Sequence, residues 1–507
     1  MVILLASRIL GLGREAIIAA LFGAAAATDA FFAAFRIPDI LYNSFLTFLV
    51  GTSVIPVLSR YWVDGRLDAA GRYWSSVVTW GVLALLPVVL VGFIFAHELL
   101  GWLAPGLAAD STIKAVELTR VMLPILVFGW MTGAAKAALE SRGRYLTPAF
   151  APLIYNCCLI LAALSLGSRL GISALAIGVL AAAVAQVGYQ LPALSRVGLR
   201  YQPSLAGEPA ALHHTWRLLY PTLIALLLGN IVPAVEVHLA SQAIPGALSY
   251  MNYANRLFLL PEQIFSTGLS TVLFPLFAAA HASGDRDGMA HRLGQGVRLT
   301  VLVMAPISVL MGLFSGPVVS LLLERGAFDG TAVSGTSRAL SAYSIGLAAL
   351  CVKHLVVFAF FALHDARTLM WVTTAMTVVN VGLDVVMFSW LSYPGLALGM
   401  ALTTCLHAVL LIVLLRRRLE GGGTWGVSEL LPKVAAGAAL VGLLAWTAAP
   451  HVPAAGAGSS AVQRLAILIA VGAGTSIVYI AAMWAWRVPE ARDLIARSRL
   501  SPWRIFS

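Results

Sequence analysis

The chain has 507 residues, of which 60% are hydrophobic and 11% are charged, and its mean hydropathy is +0.89. A soluble chain is typically about half apolar and about a quarter charged, so this chain has too few charges to cover a water-facing surface. The composition excludes a disordered chain, a secreted disulfide scaffold and a cytosolic enzyme. It predicts an all-α polytopic membrane protein.

Fourteen apolar stretches are long enough to cross a membrane, since a transmembrane helix needs roughly 20 apolar residues. Helices are expected because β-barrel alternation is absent and a span must satisfy its backbone groups internally. Several stretches exceed 25 residues, which predicts tilted or broken helices. In chain order, the predicted spans are residues 2–24, 29–58, 75–97, 115–139, 146–167, 172–195, 218–241, 250–280, 293–315, 333–363, 368–389, 394–415, 428–449 and 462–486.

The basic residues lie mainly at one set of helix ends. If the N-terminus is cytoplasmic, 20 lysines and arginines lie at cytoplasmic ends and only five at the opposite ends. This asymmetry follows the positive-inside rule. We therefore expect both termini in the cytoplasm, and basic loops that contact anionic phospholipid head groups and not nucleic acid. A cleaved signal peptide is not expected, because Arg8, Arg14 and Glu15 interrupt the first apolar stretch.

An internal repeat is visible at an offset of about 220 residues. Asn156 recurs as Asn380, and Arg36 recurs as Arg256. Six spans fit in each repeat, and parallel repeats of this kind surround a central site in transporters. We predict one six-helix lobe at residues 1–200, a second at 201–418, and a C-terminal part at 419–507 with the last two spans and a cytoplasmic tail.

Charged residues inside the predicted spans form the main candidate site. Arg8 and Arg14 lie on the first span, Asp29 and Arg36 on the second, and Arg256 on the eighth. A charge at the bilayer centre costs roughly 2.5–3.5 kcal/mol on insertion scales, so these side chains should face a wet cavity or a partner. Their positive excess suits a phosphate or diphosphate, because a guanidinium binds phosphate oxygens through paired hydrogen bonds and keeps its charge.

Internal ion pairs are the structural alternative for some of these residues. Arg36 could pair with Asp29 or with Asp39, and Arg120 could pair with Glu117, three residues earlier on the same helix. Both interpretations stay open on the sequence alone.

A second polar cluster is predicted in the C-terminal half. Asn380 and Asp384 lie one helical turn apart, and Glu236 lies within another span. Two carboxylates and an amide oxygen suit a hard cation such as Na⁺. A polar lock between helices is the structural alternative, and His238 could instead pair with Glu236.

Enzyme motifs are not found: the sequence has no H-E-x-x-H zinc motif, Walker A loop or G-x-S-x-G elbow. His354 and His407 are isolated and are expected to be satisfied core groups, and Arg298 is expected to extend its guanidinium from a helix end to water. We therefore expect a transporter without a cofactor, driven by the membrane potential or by a Na⁺ or H⁺ gradient.

Five short motifs are typical of a known family and are spread over almost the whole chain. They are Ser7-Arg8-Ile9-Leu10-Gly11, Thr28-Asp29-Ala30-Phe31-Phe32, Phe35-Arg36-Ile37-Pro38, Tyr253-Ala254-Asn255-Arg256-Leu257 and Glu324-Arg325-Gly326-Ala327-Phe328. With these motifs the chain resembles the MurJ (MviN) family of lipid II flippases, in the multidrug/oligosaccharidyl-lipid/polysaccharide exporter superfamily.

The resemblance implies two six-helix lobes around a cationic cavity, with the last two spans forming a groove for an undecaprenyl tail. It assigns substrate contacts to Arg8, Arg14 and Arg256, an essential polar role to Asp29, and the cation site to Glu236, Asn380 and Asp384. The sequence departs from the family at Tyr42-Asn43, where members usually have basic residues, and at Met400, where the cation site has a threonine.

We therefore predict a flippase that moves lipid II, or a similar undecaprenyl-diphosphate glycolipid, across a bacterial inner membrane by alternating access for peptidoglycan synthesis. Cell-wall synthesis enzymes are candidate partners. Three alternatives stay open: a flippase for another polyprenyl-diphosphate glycan such as an O-antigen or capsule unit, an intramembrane glycosyltransferase or ligase, and a scaffold without activity. Short outward loops argue against the enzyme, and intramembrane arginines argue against the scaffold.

Overall fold

The computed structural model describes residues 2–48, 53–217, 229–419, 425–451 and 460–491. Over these residues the regular structure is entirely helical, which confirms the predicted all-α class. The helices form because apolar side chains dominate the sequence, and a helix satisfies its own backbone groups where water is absent.

The chain divides into two compact units. Unit 1 comprises Met1–Ser249 and Arg325–Phe328, and unit 2 comprises Tyr250–Glu324 and Asp329–Ser507. The predicted lobe boundaries at residues 200 and 418 stay predictions.

Unit 1 holds eleven labelled helices among its described residues, and residues 209–217 are also helical. Helix α1 packs on α9, and α2 packs on α6 and α7. The helices are α1 (Val2–Phe22), α2 (Ala26–Phe48), α3 (Ile55–Val63), α4 (Leu67–Ile94), α5 (Ala96–Leu103), α6 (Ala109–Met122), α7 (Ile125–Ser141), α8 (Leu146–Ala149), α9 (Ala151–Leu170), α10 (Ser173–Arg196) and α11 (Ile231–Ser241).

Unit 2 contains the remaining helices and most of α12, whose first turn belongs to unit 1. Helix α13 packs on α16 and α19, and α18 packs on α15, α16 and α17. The helices are α12 (Ala247–Ala282), α13 (Arg286–Leu313), α14 (Ser315–Leu323), α15 (Gly330–Ser344), α16 (Leu347–Ala362), α17 (Ala366–Leu391), α18 (Tyr393–Arg418), α19 (Val427–Ala448) and α20 (Ala461–Ala485).

The predicted membrane spans correspond to these helices. Each of the fourteen predicted stretches overlaps at least one described helix, and residues 49–52 and 218–228 of two of these stretches lie outside the described residues. By length and composition, nine helical spans within the described residues could cross a membrane, or ten if the pair α15 and α16, bent by 48°, is one span. The total of fourteen spans stays a prediction.

Small residues allow close helix packing inside unit 1. A Cβ atom at Gly81 on α4 would lie 1.8 Å from Cε2 of Trp130 on α7, so only glycine fits there. The Trp130 indole also donates a hydrogen bond to the Val77 carbonyl over 3.2 Å. Glycine at a contact of this kind lets the backbones of membrane helices approach closely.

Candidate functional site

Arg14 lies in a buried polar network between α1 and α9. Its Nη1 donates to Oδ1 of Asn156 over 2.9 Å, its Nη2 pairs with the Glu15 carboxylate, and its guanidinium lies 5.6 Å from the centre of the Tyr155 ring. Only 12% of the Arg14 side chain is exposed. The prediction that the Arg14 cation is buried beside a partner is therefore confirmed, and the structure adds the contacts with Asn156 and Tyr155 on α9.

The network also contacts the backbone of α1. A Cβ atom at Gly11 would lie 3.7 Å from Nδ2 of Asn156, an ordinary van der Waals distance, so this contact does not require glycine. Asn156 also donates from Nδ2 to the carbonyl of Ser7 over 3.1 Å. Within the described residues, Arg14 Nε has no hydrogen-bond partner, which leaves one directed donor for a further acceptor.

Arg36 and Asp39 form a charged pair on α2. Arg36 Nη1 lies 4.0 Å from Asp39 Oδ2, and about a quarter of each side chain is exposed. Of the two partners that the sequence left open for Arg36, the structure selects Asp39.

Asp29 binds the beginning of α12. Its carboxylate accepts the backbone N–H of Gly246 over 2.6 Å, the N–H of Ser249 over 2.8 Å and the hydroxyl of Ser249 over 2.6 Å. The residue is only 4% exposed. A carboxylate at a helix N-terminus satisfies unpaired N–H groups and interacts favourably with the helix dipole. Asp29 thus has a structural role that the sequence did not suggest, and its predicted substrate contact stays a prediction.

The turn at residues 325–328 explains the family motif that contains Gly326. Residues 325–328 pack on α1, where the N–H of Ala327 donates to the carbonyl of Ala20 over 2.8 Å. Gly326 has a φ of +56°, and a Cβ atom there would lie 2.3 Å from the Ala20 oxygen. Glycine at 326 is therefore required by both backbone conformation and space.

The other two predicted substrate arginines lie on α1 and α12. Arg8 is half-buried in unit 1, and Arg256 is exposed in unit 2 beside buried Leu257. Since Arg8 and Arg14 belong to one unit and Arg256 to the other, their convergence on one head group stays a prediction.

The predicted cation-site residues are divided between the units in the same way. In unit 2, Asn380 donates from Nδ2 to Oδ1 of Asp384 over 3.0 Å, and Asp384 is fully buried. Glu236 lies on α11 in unit 1 and is half-buried. The structure confirms that Asn380 and Asp384 interact, and a shared cation stays a prediction. Within the described residues, no group of three or more His, Cys, Asp or Glu side chains could hold a metal ion.

Two predicted pairings in unit 1 are wrong. Arg120 does not pair with Glu117: its Nε donates to the Phe93 carbonyl over 3.0 Å, and Glu117 pairs with Lys114 over 2.8 Å.

His238 does not pair with Glu236, because its Nδ1 lies 2.8 Å from the Trp102 carbonyl. The carbonyls bound by Arg120 and His238 lie on α4 and α5, and sequence spacing cannot predict contacts with another helix. Lys114 and Arg120 are both three residues from Glu117, so spacing gave no reason to prefer Lys114 as its partner.

Two buried acids of unit 2, Glu490 and Glu262, were not predicted from the sequence to be site residues. Arg298 was expected to extend its guanidinium to water, but its Nη2 lies 2.6 Å from the carboxylate of Glu490. The Glu490 side chain is almost fully buried. His354 is not isolated, because its Nδ1 lies 2.6 Å from the carboxylate of Glu262. The signal available for both acids was a carboxylate within or beside an apolar stretch, which requires a partner.

Comparisons with known proteins agree with this fold. The family described as "Lipid II flippase MurJ" matches residues 18–466. A curated relative from Burkholderia cenocepacia with the name "Lipid II flippase MurJ" is 29% identical over 492 residues, covering 95% of each chain. A solved structure of lipid II flippase MurJ in an inward closed conformation matches with a TM-score of 0.79 and 22% identity, over 97% of this chain and 99% of that one. An inward-facing multidrug transporter of the MATE family matches with a TM-score of 0.65 and 14% identity, over 82% and 94%.

Proposed function

The chain belongs to the MurJ family of lipid II flippases, and from this premise we propose that it moves lipid II across the bacterial inner membrane. The match over residues 18–466 carries this proposal, because it includes nearly all the helices that such a path needs. No bond changes in this reaction. The protein is a transporter and not an enzyme.

The arginines of the candidate site would bind the diphosphate. Arg8, Arg14 and Arg256 supply permanent positive charge, and a guanidinium matches phosphate oxygens geometrically. The buried Arg14 Nε, which has no acceptor among the described residues, supports this role, since an unsatisfied buried donor costs free energy that a bound phosphate oxygen would recover. Arg36 and Asp29 would shape the same part of unit 1.

The lipid tail would stay in the membrane beside α19 and α20. Helix α20 buries few residues within the protein, among them Tyr479 and Met483, and these pack with Val441 of α19 and Leu302 of α13. The rest of α20 is an apolar surface that suits a polyprenyl chain and the surrounding phospholipids.

Coupling would use a cation gradient or the membrane potential. Glu236, Asn380 and Asp384 would bind Na⁺ in the conformation that brings them together, with H⁺ as the alternative ion. Such binding drives alternation only if the two conformations differ in affinity for the ion.

Both termini would lie in the cytoplasm, and peptidoglycan synthesis enzymes on the outer face would use the product.

One observation favours a second candidate substrate, another polyprenyl-diphosphate glycan. At the position where the family usually has basic residues, Tyr42 is buried, and its hydroxyl donates to Oε1 of Gln186 over 2.5 Å. A neutral internal hydrogen bond there removes positive charge from the path. An O-antigen or capsule precursor with a different head group would then be accepted.

Complementation of a bacterium depleted of its own lipid II flippase tests the proposal. We expect the wild-type chain to restore growth, and Arg14→Ala to fail although it reaches the membrane, because it loses charge-assisted contacts worth about 1.5–3 kcal/mol each. Arg14→Lys should also fail largely, since an ammonium lacks the paired donors of a guanidinium. Lys114→Ala, at an exposed pair, is the control that should complement. Failure of the wild-type chain, with export of another glycan, would instead support the second candidate.

A further inference from the structure

Unit 2 holds a cluster of ionisable side chains that the proposed function does not use. Glu262 of α12 faces His354 of α16, with 2.6 Å between the carboxylate oxygen and Nδ1. Lys353, also on α16, lies within electrostatic range of Glu262, and His407 of α18 lies within range of Lys353. Four titratable groups on three helices thus occupy one region of an apolar unit.

The cluster lies within the predicted membrane spans, where Glu262 and His407 are near the centres of theirs and His354 is in the second half of the span 333–363. Glu262, His354 and His407 each lie near the middle of the helix that carries them. Ionisable groups at this depth are costly, and they commonly mark ion or proton pathways. Coupling-ion sites in transporters also lie near the bilayer midplane. The depth of the cluster therefore favours a functional role over a purely structural one.

The internal repeat provides a comparison within the same chain. Arg36 and Arg256 are equivalent in the repeat, so the residues six positions later, Tyr42 and Glu262, are equivalent as well. Both are 6% exposed and both make one short hydrogen bond to a neighbouring helix. In unit 1 the partner is the Gln186 amide, which does not titrate. A neutral pair thus satisfies this buried position in unit 1, while unit 2 has a pair that can gain or lose a proton.

The two partners differ in exposure. The Glu262 side chain is 7% exposed, whereas that of His354 is 39% exposed. A proton would arrive at His354 and be shared with the carboxylate through their hydrogen bond. The other groups around the pair are Lys353 and Cys351 on α16, Ser266 on α12, and His407 on α18 beside Lys353.

The position of the pair on α12 connects it to the substrate. Glu262 directly follows Pro261, which removes a backbone hydrogen bond and is a point at which a helix bends. Arg256, one of the proposed diphosphate contacts, lies six residues earlier on the same helix. A change in the Glu262–His354 interaction therefore acts on the helix that would hold the head group.

We propose that Glu262 and His354 form a proton-binding site that couples proton movement to lipid transport. This inference rests on the proposed function and adds the proton to it as a coupling ion, at a site apart from Glu236, Asn380 and Asp384. With one proton shared, the pair is held together by its hydrogen bond. A second proton gives a neutral carboxyl beside an imidazolium, which removes the charge attraction and frees α12 to bend at Pro261. No co-reactant is needed, because the proton taken up on one side of the membrane is released on the other side.

Reconstituted vesicles test the proposal directly. The flipping rate of labelled lipid II is measured with the membrane potential clamped by K⁺ and valinomycin while the pH difference is varied. We expect the wild-type rate to depend several-fold on the pH difference, and Glu262→Gln and His354→Gln to lose that dependence whatever their absolute rates. Tyr42→Phe, which removes the hydrogen bond at the position equivalent to Glu262, should keep it.

A second measurement remains informative if a variant does not transport. Infrared difference spectra between neutral and acidic pH should contain a band of a protonated buried carboxyl group that is missing in Glu262→Gln. Any of three results would overturn the proposal. They are a wild-type flipping rate that does not depend on the pH difference, a dependence that persists in both glutamine variants, and an infrared band that is unchanged in Glu262→Gln. Absence of any lipid II flipping would instead contradict the proposed function, and the infrared band would still decide whether the pair binds a proton.

Discussion

Asp29 shows how one carboxylate can organise a helix end. Its three hydrogen bonds to Gly246 and Ser249 satisfy the first turn of α12 in a buried environment. We expect Asp29→Asn to lower the free energy of unfolding by about 1.5–3 kcal/mol, the value of a hydrogen bond to a charged group. Thermal unfolding of the purified protein in detergent measures this loss. Asp110→Asn, on the exposed first turn of α6, is the matched control.

The same variant separates the two roles of Asp29. If Asp29 only contacts substrate, Asp29→Asn will unfold at the wild-type temperature and lose transport. If the structural role dominates, stability and transport will fall together.

At the scale of residues, the sequence predicted which charges are buried better than it predicted their partners. Arg14, Arg36 and Asp384 could be identified because a charge inside an apolar stretch is conspicuous. Their partners were predictable only when they lay on the same helix, as Asp39 and Asn380 do. The partners Asn156 and Glu490 lie on helices that are distant in sequence, and no spacing rule brings them to Arg14 and Arg298.

At the scale of elements, the segment after α10 is tied to unit 1 by Glu208. Its carboxylate accepts a hydrogen bond from the Tyr61 hydroxyl over 2.6 Å and pairs with Arg66. These hydrogen bonds, first from Tyr61 and then from Arg66, hold the pKa of Glu208 below its ordinary value. A lowered pKa means that the folded state favours the ionised form, so the contribution of Glu208 is present at neutral pH. It is lost as the pH falls below about 4.3, the ordinary value for glutamate, and through the folded-state pKa.

Hydrogen exchange tests this attachment. We expect Glu208→Gln at neutral pH, which imitates the protonated carboxyl, to speed amide exchange in residues 197–217 relative to the wild type. Glu98→Gln, on the exposed face of α5, should leave that segment unchanged. Equal protection of residues 197–217 in all three proteins would show that Glu208 does not hold the segment.

Helix positions followed from apolar length, which also predicted tilted or broken helices in stretches longer than 25 residues but not the position of a break. The predicted span 115–139 is divided into α6 and α7 at Leu123 and Pro124, and the predicted span 333–363 is bent by 48° between α15 and α16. Hydropathy reports that a stretch is apolar and not whether its axis is straight. Gly346 at the second break also approaches α18 closely, since a Cβ atom there would lie 2.9 Å from Cα of Ala401.

At the scale of the whole molecule, the two units differ chemically at one position that the predicted internal repeat makes equivalent. Tyr42 binds Gln186 in unit 1, whereas Glu262, at the position predicted to be equivalent to Tyr42, binds His354 in unit 2. Unit 1 holds the buried Arg14 network with Glu15 and the buried Asp29, and unit 2 holds the buried acids Asp384, Glu262 and Glu490. Buried acids therefore occur in both units, and those of unit 1 bind a cation or a helix N-terminus of the same unit.

The measurement that tests the central claim most directly is lipid II translocation in vesicles that contain only this protein. Fluorescent lipid II is placed in both leaflets, and a membrane-impermeant reagent modifies the molecules that reach the outer surface. We predict that wild-type protein makes nearly all the lipid II accessible, that Arg14→Ala leaves the inner-leaflet half protected, and that Lys114→Ala behaves as the wild type. Protection equal to that of protein-free vesicles with the wild-type chain, or equal accessibility with Arg14→Ala, would contradict the account.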